Sequence, residues 1–394
     1  MENVIFEKNA TAKLAQKAKD FGKILIITSP SAKKQYFHML SNFLNENKTT
    51  FWAYSLRETK CSSDNILKAC SFARDAKAIV SLGAGTVCDV SKIVGKKLSL
   101  PVLVLPTTIT HFGIFNNVAI LNDGLPEYVE TDYPEGVFLD EAIIHKSPER
   151  FIKSSLCFAL SLLETQFSLE AVSVLTGEKS VDTDELGAKI RKIEELVGWI
   201  SLSKGFAILN LMDYIFDLFQ ILKGNFKINS NLFASKLSSS TLKQNFGEKA
   251  LICSKVLLQS YVTYFNQRLI IPKNIPNFEI ISQILSQIPV CGAFFNFENI
   301  EEKFNSYIAK TNALLGGGLR LNIQKFRTFL LERSILFCQT ISKFNNKLRA
   351  IDGQENRLRM IDERELFSSL QILPLLGEGF LPNLLLRYGY LNVG

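Results

Sequence analysis

Histidine is nearly missing from this chain: three among 394 residues, His38, His111 and His145. Everything beyond residue 145 therefore lacks an imidazole, which excludes from that part the commonest acid–base side chain and the commonest ligand of a catalytic metal. Cysteine is neither abundant nor paired. The seven residues, at 61, 70, 88, 157, 253, 291 and 338, contain no C-x-x-C, and fit neither a disulfide framework nor a zinc knuckle. They are expected to be reduced and mostly buried. Long apolar runs free of charge are missing too. The most apolar stretch, Phe206 to Leu222, carries Asp213 and Asp217 and reads as a buried helix, not a membrane span. Met1 to Lys8 has neither the basic start nor the apolar core of a signal peptide, so a cytoplasmic protein is expected. Nor is one sign of charge in strong excess: 45 Lys plus Arg against 38 Asp plus Glu leave +7, without a long basic block. That argues against a nucleic-acid partner and favours small anionic ligands only weakly.

What the chain does have is core material. With 47% apolar and 21% charged residues, extensive disorder is excluded, and the length suits two domains. The first 150 residues alternate short β-branched runs with helical periodicity: Ile24 to Thr28, a helix from about Ser31, Phe51 to Tyr54, a helix from about Ser63, Ala78 to Leu82, a helix from Thr86 to Lys97, and Val102 to Leu105. Such alternation predicts a parallel sheet covered by helices on both faces, a Rossmann-like α/β domain. Beyond Pro148 the apolar spacing becomes helical through long segments, with breaks near Gly224, Pro272 to Pro276, Gly292 and Gly316 to Gly318. The expected organisation is therefore an α/β domain over residues 1–148 and an all-α domain over 149–394. The apolar end, Leu373 to Leu391, is expected to dock on the body of the protein or on a second subunit.

The most informative segment runs from Val80 through Gly83-Ala84-Gly85-Thr86-Val87-Cys88-Asp89 to Lys92. A buried strand there enters a small-residue turn and then a helix. Glycines let backbone amides approach a pyrophosphate, and the helix N-terminus adds partial positive charge. An ordinary strand-to-helix turn needs the same residues, so the motif alone leaves both readings open. The next strand ends in Leu105-Pro106-Thr107-Thr108-Ile109-Thr110-His111-Phe112-Gly113. Together the two stretches resemble the dehydroquinate synthase and iron-containing alcohol dehydrogenase superfamily, especially its sn-glycerol-1-phosphate and glycerol dehydrogenases. These show G-G-G-x-x-x-D-x-x-K after one strand and P-T-x-x-S-x-D-G after the next. Gly83, Gly85, Asp89 and Lys92, then Pro106, Thr107 and Gly113, match, with Ala84 for the middle glycine and Thr110 for the serine. The resemblance continues through Phe138 to Ile144 and Ser147-Pro148-Glu149-Arg150. It implies that the turn, Gly83 and Gly85 to Asp89, lines the pyrophosphate of NAD or NADP, and that Thr107, Thr108 and Thr110 border the nicotinamide side. Ordinary hydroxyls satisfying a strand end are the alternative for the threonines.

Members of that superfamily hold zinc or iron with one Asp and two His, and the metal polarises the substrate oxygen. Carried over residue by residue, R-x-x-x-S-G-x-x-D matches Arg150, Ser154 and Ser155 and puts Phe158 at the metal-binding Asp position. H-G-E-x-V is similar to Phe246-Gly247-Glu248-Lys249-Ala250, putting Phe246 at a histidine ligand. The second histidine falls between Ser230 and Thr241, where this chain has none. Phe112 stands at the substrate-contacting Asp. Phenylalanine neither coordinates zinc nor accepts a polyol hydrogen bond, so no metal is expected. The alternative is that core phenylalanines, of which there are 30, have fallen on functional columns.

Weaker candidates are His111 as an acid–base, against a loop-packing histidine, and Lys92, Lys96 and Lys97 as anion-steering cations, against a solvated helix face. Asp213 and Asp217 read as a polar helix edge before a metal pair, and Cys157 as a packed thiol before a nucleophile. The leading expectation is a degenerate glycerol-1-phosphate dehydrogenase-like protein that binds a dinucleotide or small anionic ligand without metal-dependent hydride transfer. It would serve as a sensor, as a homo-oligomer or as a partner of another enzyme. The alternatives are an active NAD(P)-dependent oxidoreductase on a polyol or sugar phosphate with a metal-free site, and a structural or assembly protein.

Overall fold

The computed structural model describes residues 4–222 apart from 59, 110–111, 124–125, 177–181 and 201–203, then residues 246–251 and scattered positions between 254 and 342. The breaks expected near Gly224, Pro272 to Pro276, Gly292 and Gly316 to Gly318, and the apolar end, lie outside the described residues. The chain divides into two compact units, residues 1–156 with 202–219, and residues 157–201 with 220–394.

In the first unit, β1 (Val4–Glu7), β2 (Lys23–Thr28), β3 (Thr50–Ser55), β4 (Ala78–Leu82), β5 (Val102–Leu105) and β8 (Gly136–Asp140) form one six-stranded sheet. Its order is β1-β8-β5-β4-β2-β3, and every neighbouring pair is parallel. Ile26 thus sits between Ala53 and Val80, and Ile5 beside Phe138. Parallel strands covered on both faces favour near-continuous apolar runs, and all five residues of β4 and of β8 are buried. On one face Ile24, Ile26, Val80, Leu82, Leu103 and Leu105 pack with Leu14, Tyr36 and Leu40 in a single core cluster. The last three lie on α1 (Ala10–Lys19) and α2 (Pro30–Glu46). Truncating a residue such as Ile26 to alanine there costs about 2–5 kcal/mol.

Local chemistry sets the helix starts. Ser29 precedes Pro30, and its hydroxyl accepts from the Ala32 amide, capping α2. Ser62 does the same for α3 (Ser63–Phe72), accepting from Asn65. α4 (Thr86–Leu98) packs against β4 and β5. Between β5 and β8 the chain makes a short 3-10 turn, Phe112–Ile114, then an antiparallel hairpin of β6 (Val118–Asn122) and β7 (Pro126–Glu130). Asp140 ends β8, caps α5 (Glu141–Ile144) through the Ala142 amide, and accepts from the Thr11 amide and hydroxyl of α1.

After Pro148 the described chain is helical apart from Asp182, as the change in apolar spacing predicts, with α6 (Glu149–Thr176), α7 (Thr183–Ile200) and α8 (Lys204–Leu222). α8 coincides with the apolar stretch read as a buried helix, and no helix among the described residues is long and apolar enough to cross a membrane. In the second unit α6 supplies most of the described core. Phe167 stacks on Phe329 with ring centroids 5.4 Å apart, Ser254 donates to the Ser161 carbonyl at 2.8 Å, and Glu170 is held by Arg333 and Gln166. Burial pushes the Glu170 carboxyl up, against the opposing hydrogen bond from Gln166 and the charge of Arg333.

Candidate functional site

The order of the sheet singles out one point. From β2 the chain runs through α2 to β3 on one side; from β4 it runs through α4 to β5 on the other. The connections diverge between two adjacent strands, so a crevice opens at their carboxyl ends, where open parallel sheets bind ligands. The Thr28 hydroxyl closes its floor by donating to the Leu82 carbonyl at 2.9 Å. Directly after Leu82 comes the glycine turn. Gly83 has φ +154°, and a Cβ there would lie 2.9 Å from the Val87 side chain. Gly85 precedes the first residue of α4 with φ +54°, a left-handed value that disfavours any side chain, and space is open where its Cβ would be. Ala84, Gly85 and Thr86 are half-exposed while Val87 to Val90 are buried. The turn therefore presents backbone, and the positive end of α4, to a ligand at the crevice.

The side chains of α4 behave differently from the sequence expectation. Asp89 is 6% exposed, and its carboxyl accepts a backbone hydrogen bond from Ile120 of β6. Burial pushes it up to about 6, with the neighbouring Lys92 charge and the Ile120 amide pulling the other way. Lys92 is a correction. Read as part of a solvated face, it is 1% exposed and donates to the Gly113 carbonyl at 2.8 Å and to the Asn116 side-chain oxygen at 2.9 Å. The Asn116 carbonyl at 3.3 Å and the Val118 carbonyl are its further partners among the described residues. A signal for this was present. Val87, Cys88, Val90, Ile93 and Val94 make α4 apolar all round, so a lysine among them has no water to reach. Lys96 and Lys97 are exposed as expected, and Lys96 pairs with Asp132 at 2.8 Å.

Thr107 is half-buried at the end of β5, and Thr108 is buried, where it accepts from the Ser147 hydroxyl at 2.7 Å. Thr110 and His111 lie outside the described residues, as does the side chain of Phe112. Three residues on, Phe115 is fully buried against Phe216 and Phe219 of α8, with centroids 5.3 and 5.8 Å away. Sequence reasoning missed this cluster, because α8 is distant in sequence. Cys88 and Cys61 are buried, and burial pushes the Cys88 thiol up to about 12 and the Cys61 thiol further, so neither is a nucleophile. Cys157 is a buried, packed thiol.

In the second unit Phe158 is 1% exposed and its ring meets that of Phe246, with centroids 6.2 Å apart. Two positions assigned to metal ligands by the resemblance therefore share one neighbourhood and are filled by rings. Among the described residues no group of three or more His, Cys, Asp or Glu is placed to hold a metal ion. Asp217 is half-buried on α8, and the Asp213 side chain is outside the described residues.

The sequence profile of iron-containing alcohol dehydrogenases matches residues 3–148, the span that contains the whole sheet. A glycerol-1-phosphate dehydrogenase [NAD(P)+] of Archaeoglobus fulgidus is 33% identical over 117 residues, 29% of this chain and 32% of that protein. The chain thus spans about a third of the length of the curated relatives it first matches. Among solved structures, glycerol dehydrogenase from Schizosaccharomyces pombe superposes with a TM-score of 0.54 at 14% identity, over 92% of this chain and 94% of that one. NADH-dependent butanol dehydrogenase A from Thermotoga maritima gives 0.56 at 14%, over 95% and 97%. These similarities show that the fold of the iron-containing alcohol dehydrogenases extends beyond the matched span.

Proposed function

We propose that this chain holds NAD, NADP or a related phosphate ligand on the turn from Gly83 to Asp89, and does not carry out the metal-dependent hydride transfer associated with its family. The backbone of Gly85 to Cys88 at the start of α4 would bind the pyrophosphate, with Thr107 and Thr108 towards the nicotinamide. A bound nicotinamide supplies a hydride donor or acceptor. The donor set for zinc or iron does not fit. Coordination needs imidazole, carboxylate or thiolate lone pairs, and the chain offers no histidine after residue 145 and rings at 158 and 246. The observation that carries the reading is the contact between Phe158 and Phe246. It supports a site that has exchanged metal donors for aromatic packing while the glycine turn keeps a ligand-ready geometry. The same reading places the chain in the cytoplasm, as a ligand sensor or as a partner of another enzyme.

The test is titration with NADH and NADPH by fluorescence, with metal analysis of the purified protein. Saturable binding without stoichiometric metal is expected. Stoichiometric zinc or iron, or turnover of dihydroxyacetone phosphate, would falsify the proposal. The dehydrogenase names of the relatives favour a second reading, an active oxidoreductase on a polyol or sugar phosphate with a metal-free site. A screen of such substrates with both dinucleotides separates the two, and His111→Ala asks whether any activity found depends on that imidazole.

A further inference from the structure

We propose that Lys92 is a positioning residue: its ammonium acts as a built-in cation around which residues 113–118 wrap, fixing that segment beside the ligand-binding end of α4. This rests on the ligand reading above for its functional consequence and on geometry for the rest. Among the described residues, the four oxygens that Lys92 reaches come from one short stretch, the carbonyls of Gly113, Asn116 and Val118 and the Asn116 side chain. An ammonium has three protons to give, so it is fully engaged by the segment and owes nothing to solvent. The Asn116 side-chain oxygen also accepts from the Val118 amide at 3.2 Å, closing the wrap on itself. One turn earlier on the same helix face, Asp89 takes the Ile120 amide. Cys88 adds a longer contact to the Gly113 carbonyl at 3.5 Å. The D-x-x-K spacing therefore works as a two-handed clasp: a carboxylate holds an amide and an ammonium holds carbonyls of the same returning chain.

The placement gives the clasp its reach. Lys92 lies seven residues after Gly85, roughly 10 Å along the helix axis, so the segment it holds runs beside the α4 turn that faces the crevice. The segment follows directly on the stretch carrying Thr107 and Thr108. It also delivers Phe115 to the rings of Phe216 and Phe219. With the cation gone, the carbonyls of Gly113, Asn116 and Val118 and the Asn116 side-chain oxygen would all lose their charged donor, leaving only the Val118 amide on the side-chain oxygen and the longer Cys88 contact on Gly113; folded chains relieve such a loss by local opening. The expected result is a segment that opens on its own while the sheet stays folded, and a ligand site that loses one wall.

The experiment compares wild type with Lys92→Met, which keeps much of the volume and removes the charge, and with Lys92→Ala in the presence and absence of ethylammonium. Hydrogen exchange is followed at amides 113–122 and, as an internal reference, at β2 and β4. In Lys92→Met, exchange over 113–122 is expected to rise by about 10-fold or more with the reference strands unchanged. NADH affinity should fall by about 10-fold. Ethylammonium should restore protection and affinity in Lys92→Ala. Equal acceleration in all strands, unchanged exchange over 113–122, or absence of rescue overturns the proposal. Should Lys92→Met not fold, Asn116→Ala deletes one acceptor and is expected to raise exchange over the same amides by about 3-fold; no local change there is equally fatal. If wild type binds neither dinucleotide, the ligand reading falls while exchange and rescue still decide the role of Lys92.

Discussion

The glycine turn of the first unit and the Phe158–Phe246 pair of the second are both places where the resemblance expects chemistry, and they have fared differently. At the turn, recognition would rely on backbone, so the requirement is conformational: φ +54° at Gly85 and no Cβ at Gly83, where Val87 already fills the space. Such a site persists so long as two residues stay small. Metal binding in the second unit would rely on side-chain lone pairs, and rings at 158 and 246 remove two donors while still packing well. The contrast teaches that a backbone-built site and a donor-built site make different demands on sequence: the first needs small residues at two positions, the second needs specific side chains. On the proposed reading, this chain keeps the first without the second.

The sharpest way to break the comparison is to put a donor back. Phe158→Asp should destabilise the protein by about 3–5 kcal/mol, since the site is fully buried and packed against an aromatic ring. Denaturant unfolding reads this directly, and a loss under about 1 kcal/mol would mean that the neighbourhood still accommodates a carboxylate. Next in size is Gly85→Val, which introduces a β-branched side chain at a left-handed position and fills the open space. Dinucleotide affinity is expected to drop about 100-fold, roughly 2.7 kcal/mol, and affinity within a factor of two of wild type would move the ligand elsewhere.

A third effect concerns pH. Asp89 is raised from 3.8 to about 6 in the folded protein, so the folded state binds the extra proton between those values. Its contribution to stability is fully present below about pH 4 and is lost as pH rises through about 6. The loss is on the order of 3 kcal/mol. The groups facing it are Lys92, Cys88 and Cys61. Asp89→Asn should flatten the slope in urea unfolding between pH 4 and 7, and a variant as steep as wild type would assign the slope to other carboxyls. Smaller still, Ser147→Ala removes the hydroxyl donated to Thr108 and should cost about 1 kcal/mol, visible as a small drop in melting temperature. At the bottom of the scale, EDTA should leave the melting temperature unchanged, whereas a drop would reveal a resident divalent ion.

The parallel sheet and the turn were legible because strand–helix alternation and glycine spacing are local patterns. Ile24 to Thr28, Ala78 to Leu82 and the helix from Thr86 appear where the pattern puts them. β1 was not legible, since Val4–Glu7 is a four-residue edge strand, half-buried throughout. The β6–β7 hairpin carried a signal, Asp123-Gly124 between two short β-prone runs, which the family motifs on either side overshadowed. Lys92 was misread because charge on a helix suggests water, and only the ring of buried neighbours around it says otherwise. The pairing of Phe158 with Phe246 needed three dimensions, since 88 positions separate them in the chain.

Asp140 has a consequence for how the chain is made. It anchors Thr11 through two hydrogen bonds, and among the described residues β1 pairs only with β8, the strand that Asp140 ends. On a ribosome, β1 has to wait for more than 120 further residues before β8 emerges. Strands β2 to β5 can assemble meanwhile, and β1 is among the last to lock onto the sheet. A fusion appended ahead of Val4 would therefore interfere at the closing step of assembly, after most of the sheet is already in place.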